Sequence, residues 1–218
     1  MPGNDSDNIL HLDAIDIRLQ ETPLVAIDTR IEPGEILTVM GPSGVGKSTL
    51  LAFIAGFLDP AFSARGNVWL QGRELTRLPA EQRRLGLLFQ DPLLFPHLSV
   101  GGNLAFGLRD GNSRRERHAQ IDRALADIGL PGYADRDPAT LSGGQRSRVA
   151  LMRVLLSRPH AMLLDEPFSK LDMTLREEMR SLVFSRIHQE NLPTLMVTHD
   201  EADAEAAGGR VFRLLPPT

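Results

Sequence analysis

Ile36-Leu37-Thr38-Val39-Met40-Gly41-Pro42-Ser43-Gly44-Val45-Gly46-Lys47-Ser48-Thr49 joins a short apolar run to a glycine-rich turn, and a second apolar run, Leu50 to Phe57, follows it. From Gly41 onward it matches the G-x-x-x-x-G-K-[ST] loop at every fixed position. A strand before and a helix after are the context that loop requires. Its glycines let successive backbone N–H groups turn inward around a phosphate, and the helix N-terminus adds partial positive charge. Lys47 then reaches the β- and γ-phosphates and Ser48 can bind Mg²⁺. Each position from Gly41 through Pro42, Ser43, Gly44, Val45, Gly46, Lys47 and Ser48 to Thr49 is therefore a candidate nucleotide contact. The competing reading, a glycine turn that merely caps a helix, is outweighed by the strand-loop-helix context.

Working outward, similar apolar runs recur at Leu85 to Phe89, Ala161 to Leu164, Leu195 to Thr198 and Val211 to Leu215, separated by helix-length segments. Continuous apolar strands alternating with helices indicate a parallel sheet covered on both faces. Ile9 to Leu19, Leu24 to Ile31 and Asn67 to Gln71 alternate apolar with polar residues and read as antiparallel strands beside that sheet. Between Asp91 and Thr140 the character changes: Pro92, Pro96, Gly101-Gly102, Gly107, Gly111, Pro131 and Pro138 interrupt two or three helical stretches. The best of these, Arg114 to Ile128, places Ile121, Leu125 and Ile128 at helical spacing. The fold class is α/β with a small β region at its N-terminal side and an inserted helical subdomain.

Composition narrows the function classes. At 218 residues the chain can bury a substantial core without staples. It contains no cysteine, which excludes disulfides, zinc-cysteine sites and thiol nucleophiles. A formal charge of −4 lacks the basic excess of a protein whose main ligand is a nucleic-acid backbone. Runs such as Arg114-Arg115-Glu116-Arg117 read as solvated helix faces. Met1 to Asn8 lacks the pattern of a secretion signal, and no stretch approaches the ~20 apolar residues that span a bilayer. The chain is expected in the cytosol, with other chains supplying any membrane spans.

Ala161-Met162-Leu163-Leu164-Asp165-Glu166-Pro167 is a buried strand ending in two carboxylates, and charges seldom end an apolar core strand without a partner. Alternation along a strand points Asp165 and Glu166 in different directions, so two roles fit better than one shared site. Asp165 suits the Mg²⁺ shell, and Glu166 suits orienting or deprotonating an attacking water. Gln90 and His199 also end apolar strands, at the edge where parallel sheets bind ligands, and both could face a γ-phosphate there. Alone, each would more often be a satisfied structural residue; together with the other motifs they favour function. A second glycine-rich turn, Leu141-Ser142-Gly143-Gly144-Gln145, lies 20 residues before Asp165 (165 − 145 = 20). Ser142-x-x-Gln145 has the form of a capping box, and Gln145 to Leu156 carries a helical pattern. Ser142, Gly143, Gly144 and Gln145 thus sit at a helix N-terminus, a second place where a phosphate could dock.

These motifs, in this order, make the chain resemble an ATP-binding cassette (ABC) ATPase over roughly Ile9 to Leu214. In that family's terms Gly41 to Thr49 is Walker A, Gln90 the Q-loop, and Leu141 to Gln145 the signature. Met162 to Glu166 ends Walker B, Ser169-Lys170-Leu171-Asp172 is the D-loop, and His199 the switch histidine. The resemblance implies a P-loop NTPase (RecA-like) core formed by 9–90 and 146–218, with a helical/signature subdomain over 91–145. It implies ATP and Mg²⁺ as cofactors, with Ser48, Gln90 and Asp165 holding the metal and Glu166, His199, Gln90 and Lys47 acting in catalysis. It also implies a head-to-tail homodimer in which Ser142, Gly143, Gly144 and Gln145 of one chain close on the nucleotide of the other.

Phe89-Gln90-Asp91-Pro92-Leu93-Leu94-Phe95-Pro96-His97-Leu98-Ser99-Val100 resembles the same stretch of importer ATPases. The implied partners are two transmembrane permease subunits, contacted through Asp91 to Val100, and indirectly a solute-binding protein. Nucleic acid is not expected as a partner. The implied location is the cytoplasmic face of the cell membrane. Two alternatives stay open: an ABC ATPase of an envelope export or mechanotransmission complex, and a soluble ABC protein acting on nucleic acid. A small P-loop kinase would leave the signature unexplained. The C-terminal regulatory domain of sugar-importer relatives is not expected.

Two departures stand out. Many relatives place an aromatic residue some two dozen positions before Walker A to stack on adenine, where this chain reads Ile17-Arg18-Leu19-Gln20. Arg18 either stacks its planar guanidinium on the base or is a solvated edge residue; Trp69 and Tyr133 are the remaining aromatic candidates. Weak discrimination between ATP and GTP is the expectation. Lys170 stands where the D-loop commonly has a small residue, and either pairs across a dimer or points to solvent.

Overall fold

In the computed structural model the described residues are 8–108 and 113–215. The polar stretch over 1–7, Gly111 and the last three residues lie outside them.

Two sheets form the frame. The first is antiparallel, in the order β2-β1-β4-β5, with β1 at Leu10–Leu19, β2 at Thr22–Ile31, β4 at Phe62–Leu70 and β5 at Arg73–Glu74. Leu10, Leu12, Ile15 and Ile17 of β1 face the core. The spacing slips by one between Leu12 and Ile15 because Ala14, at φ 48°, forms a bulge. Opposite it in β4, a side chain on Gly66 would meet the Ala14 carbonyl oxygen at 2.3 Å, so only glycine fits there. This sheet begins earlier in β4 than the alternation of Asn67 to Gln71 suggests, since Phe62 to Arg65 pair with the far half of β1.

The second sheet is parallel, in the order β6-β7-β8-β3-β9: β3 at Ile36–Met40, β6 at Leu85–Phe89, β7 at Ala161–Asp165, β8 at Thr194–Thr198 and β9 at Val211–Arg213. Every residue of β3 and β8 is buried, as a sheet covered on both faces demands. The last strand is shorter than its apolar run because Leu214 turns inward, its N–H donating to the Met40 carbonyl at 2.8 Å, while Leu215 is exposed.

Helices cover and connect the sheets. The first, α1 (Lys47–Ala55), starts three residues before its apolar run and stops at Gly56, whose φ of 93° ends it before Phe57. Its C-terminal carbonyls at Phe53 and Ile54 accept from the buried Arg83 guanidinium, which also donates to the carbonyls of Thr76 and Leu78. This pins the sheet-to-sheet connection beneath the helix. Helices α5 (Met173–Gln189) and α6 (Glu201–Ala207) pack near β8 and β3.

Three further helices, α2 (Val100–Gly107), α3 (Arg114–Asp127) and α4 (Gly143–Leu156), bury Leu104, Ile121, Leu125, Ile128 and Val149 in a cluster of their own. Helix α3 opens on a Ser113–Glu116 capping box and matches the expected stretch. At Gly107 a side chain would lie 2.1 Å from the Arg153 carbonyl oxygen, so α2 and α4 meet backbone to backbone. Along one edge of the parallel sheet, Gly41, Gln90, Asp165 or Glu166, and His199 leave successive strand ends, which brings four distant motifs to one place.

Candidate nucleotide site

The turn after β3 is shaped by two glycines in the left-handed region, Gly44 at φ 81° and Gly46 at φ 102°. Gly46 has a second reason to lack a side chain, because a Cβ would approach Val25 Cγ2 of β2 to 2.8 Å. The loop therefore leans on the antiparallel sheet. It delivers the N-terminus of α1 into a cleft of about 350 Å³ whose walls carry Ser43, Lys47, Ser48, Thr49, Gln90, Asp165 and Glu166. Lys47 Nζ donates to the carbonyls of Gly41 (2.7 Å) and Pro42 (3.0 Å) and stands 4.0 Å from Glu166 Oε1. Although its side chain is only 6% exposed, the ammonium is positioned at the cleft rather than in the core.

Ser48 Oγ donates to Asp165 Oδ1 at 3.0 Å. Burial pushes the Asp165 carboxyl above the usual carboxylate range; Ser48 opposes this, Glu166 adds to it and Lys47 opposes it. Hydroxyl, carboxylate and amide oxygens from Ser48, Asp165 and Gln90 are the hard donors that suit Mg²⁺. No group of three or more His, Cys, Asp and Glu side chains is placed to hold a metal among the described residues. The donor set accordingly fits an ion that arrives with phosphate oxygens and water completing its shell.

Strand alternation does not decide where the two carboxylates go. The strand stops at Asp165, and Glu166 takes φ 45°, left-handed for a non-glycine residue, with its N–H on the Val197 carbonyl at 3.0 Å. Both side chains reach the cleft and differ in their partners: Asp165 meets Ser48, while Glu166 Oε1 lies 3.2 Å from His199 Nδ1. A left-handed non-glycine residue costs on the order of 1–3 kcal/mol, and such strain collects where function fixes a side chain.

Ser142 and Gln145 close the capping box: Ser142 Oγ accepts from the Gln145 N–H (3.2 Å), and Gln145 Oε1 accepts from the Ser142 N–H (3.0 Å). Gly144 is buried, and a Cβ there would come within 2.5 Å of Leu175 on α5. Ser142 and Gly143 are exposed, and none of these four residues lines the cleft that holds Lys47. The starts of α1 and α4 thus belong to different places on the surface of this chain.

Lys170 Nζ bonds Asp91 Oδ1 at 2.6 Å within the same chain, with both side chains about half exposed. Arg18 is held by Asp16 at 3.1 and 3.2 Å on an exposed strand face. Tyr133 lies beneath the Arg136 guanidinium (3.9 Å to the ring centre), and Trp69 sits on β4 across from His11. Sequence reading passed over Asp200, Asp203, Arg176 and Arg180, which surround the peptide of His199. The available signal was two arginines four residues apart, just after the D-loop.

The ABC transporter family model matches residues 24–169. The chain is 47% identical over 196 residues to the uncharacterized ABC transporter ATP-binding protein YnjD of Escherichia coli, covering 88% of this chain and 89% of that one. It is 46% identical over 184 residues to the thiamine import ATP-binding protein ThiQ of Vibrio vulnificus, covering 84% and 77%. The spermidine/putrescine import ATP-binding protein PotA of Frankia alni is 44% identical over 200 residues, which cover 88% of this chain and 42% of PotA.

Proposed function

The chain belongs to the ABC transporter ATP-binding family, whose members hydrolyse ATP, and from that premise we propose that it is the ATPase subunit of a bacterial importer. It works as a head-to-tail homodimer beneath two transmembrane permease subunits, peripheral to the cytoplasmic face of the cell membrane, with a solute-binding protein as indirect partner. The import direction is supported by the relatives named for import. Among the described residues no helix is long and apolar enough to cross a membrane, so the spans fall to the permease subunits.

The observation that carries the dimer is the separation of the two helix starts. Gly44, Gly46 and Lys47 frame one phosphate cradle. The signature, with Ser142 and Gly143 exposed, forms a second that its own cleft does not use. In the proposed dimer Ser142, Gly143, Gly144 and Gln145 meet the γ-phosphate held by the other chain.

In each site the backbone from Gly41 to Thr49 wraps the phosphates, and Lys47 moves from its loop carbonyls to the β- and γ-oxygens. Ser48, Asp165 and Gln90 would hold Mg²⁺, which supplies charge neutralisation on the phosphates. Glu166 orients the attacking water and takes its proton, and His199, 3.2 Å from that carboxylate, contacts the γ-phosphate edge.

The test uses the complex with its permease subunits. Lys47→Ala and Ser142→Arg should each abolish turnover alone. Mixed before assembly, they should restore phosphate release, because one site of the mixed dimer then holds an intact Lys47 opposite an intact Ser142. Absence of any restoration, with mixed dimers demonstrated by differential tags, would exclude the trans arrangement.

A further inference from the structure

His199 projects from a peptide that is gripped on both sides. Before it, the Thr198 hydroxyl donates to Asp203 Oδ2 at 3.1 Å and accepts from the Asp200 N–H at 3.1 Å. After it, Asp200 caps α6 by accepting from the Ala202 N–H (2.8 Å). Its other carboxylate oxygen is bonded by Arg176 Nη1. Asp203, 1% exposed, is itself held by Arg180 Nε at 2.6 Å, one helical turn beyond Arg176 on α5. The imidazole stays 57% exposed, touching Glu166.

Arg176 reaches further than this loop. Its Nη2 donates to the Ser169 carbonyl at 3.4 Å, and Ser169 in turn places its hydroxyl on the Glu166 carbonyl at 3.0 Å. One planar guanidinium therefore holds, from beneath, the residue after His199 and the residue that fastens the Glu166 backbone. It does so with an unmade bond, since Arg176 Nε is buried without a partner among the described residues. An unsatisfied buried donor costs about 1–3 kcal/mol.

We propose that Arg176 is a positioning residue for hydrolysis, a single fork that sets the spacing of the Glu166–His199 pair, with Arg180 and Asp203 as its buried anchor. This rests on the reading of Glu166 and His199 as the hydrolytic pair. A flat fork with two separate donors suits the task, whereas a lysine offers one compact charge that can satisfy Asp200 or Ser169 but not both. Because the pair is displaced rather than removed, the nucleotide cradle formed by β3 and α1 is untouched.

The experiment measures steady-state and single-turnover phosphate release by the assembled complex, together with thermal midpoints. Arg176→Ala should lower kcat by about 100-fold, the scale of a misplacement near 1 Å, with KM for ATP changed by less than about twofold. Arg176→Lys should recover the thermal midpoint while leaving kcat impaired. In a His199→Ala background, Arg176→Ala should cost clearly less than in the wild type, since only its hold on Glu166 through Ser169 is then left to lose. Losses that multiply in that background, a rise in KM instead of a fall in kcat, or full recovery by lysine would overturn the proposal. If Arg176→Ala fails to fold, Asp200→Asn, which weakens the guanidinium bond, takes its place with the same expected pattern. If His199→Ala and Glu166→Gln themselves hydrolyse ATP at the wild-type rate, the reading of the pair fails, a result distinct from additive losses at Arg176.

Discussion

At the scale of single residues, the cleft includes two positions with a left-handed backbone and a fixed place, Glu166 at φ 45° and Gly46. Gly46 combines φ 102° with a Cβ position 2.8 Å from Val25. Gly46→Ala should therefore destabilise the fold by more than about 1 kcal/mol and weaken ATP binding, both readable by thermal melting and nucleotide titration. Glu166→Gln keeps the shape of its side chain and removes the proposed base, so ATP binding should persist while phosphate release falls by at least about 100-fold; unchanged turnover would remove Glu166 from that role. The glycine loop, the carboxylate pair and the Ser142–Gln145 turn were legible because each motif fixes a local backbone within a few residues, whereas His199 drew attention only in their company. Pairings across long separations were not. Lys170 and Asp91 are 79 residues apart, and nothing local to either points to the other. The left-handed turn at Glu166 was equally hidden, since it follows from the Glu166 N–H reaching Val197 on a neighbouring strand.

At the scale of elements, apolar period sufficed for β3, β6 and α3, whose ends match their sequence patterns. It fell short where polar residues belong to an element for tertiary reasons. Helix α1 incorporates Lys47, Ser48 and Thr49 because the loop feeds straight into its first turn, and β4 extends over Phe62 to Arg65 because β1 is long enough to pair with it. In α3, Leu125 is fully buried, and Leu125→Ala should cost about 2–5 kcal/mol by denaturant unfolding. A pH-dependent contribution lies between the sheets. Arg210, just before β9, donates to Glu35 at 2.6 Å, to Thr29 Oγ1 and to the Arg30 carbonyl. Burial raises the Glu35 carboxyl, but the bonds from Arg210 and the Glu32 N–H outweigh it and hold the group below the usual range. A depressed carboxylate stabilises the fold above its unfolded pKa, and that stability is lost as pH falls through the folded value. Glu35→Gln should then cost about 0.5–1 kcal/mol at neutral pH, as partly exposed pairs do. The deficit should vanish in acid, below the depressed pKa.

At the scale of the whole molecule, the two sheets share one continuous apolar interior. Leu12, Ile17 and Val25 of the antiparallel sheet lie in the same cluster as Val39, Leu163 and Val197 of the parallel one. The cluster of α2, α3 and α4 is distinct from the one beneath α5, and α4 joins the two, with Val149 and Met152 in the first and Ala150 and Leu151 in the second. Within the first, α2 approaches α4 closely enough at Gly107 that a Cβ there would lie 2.1 Å from the Arg153 carbonyl oxygen. Gly107→Ala should force α2 from α4 and lower kcat in the assembled complex more than it lowers ATP affinity, read by phosphate release against nucleotide titration. Separate interiors also imply separate lifetimes. The amide protons of α3 should exchange with solvent well before those of β3 and β8, as a local opening that leaves the sheets closed. Slower exchange in α3 on ATP binding would show that occupancy of the cleft reaches a helix that lines none of it, by way of α4, which packs on both β6 and α2.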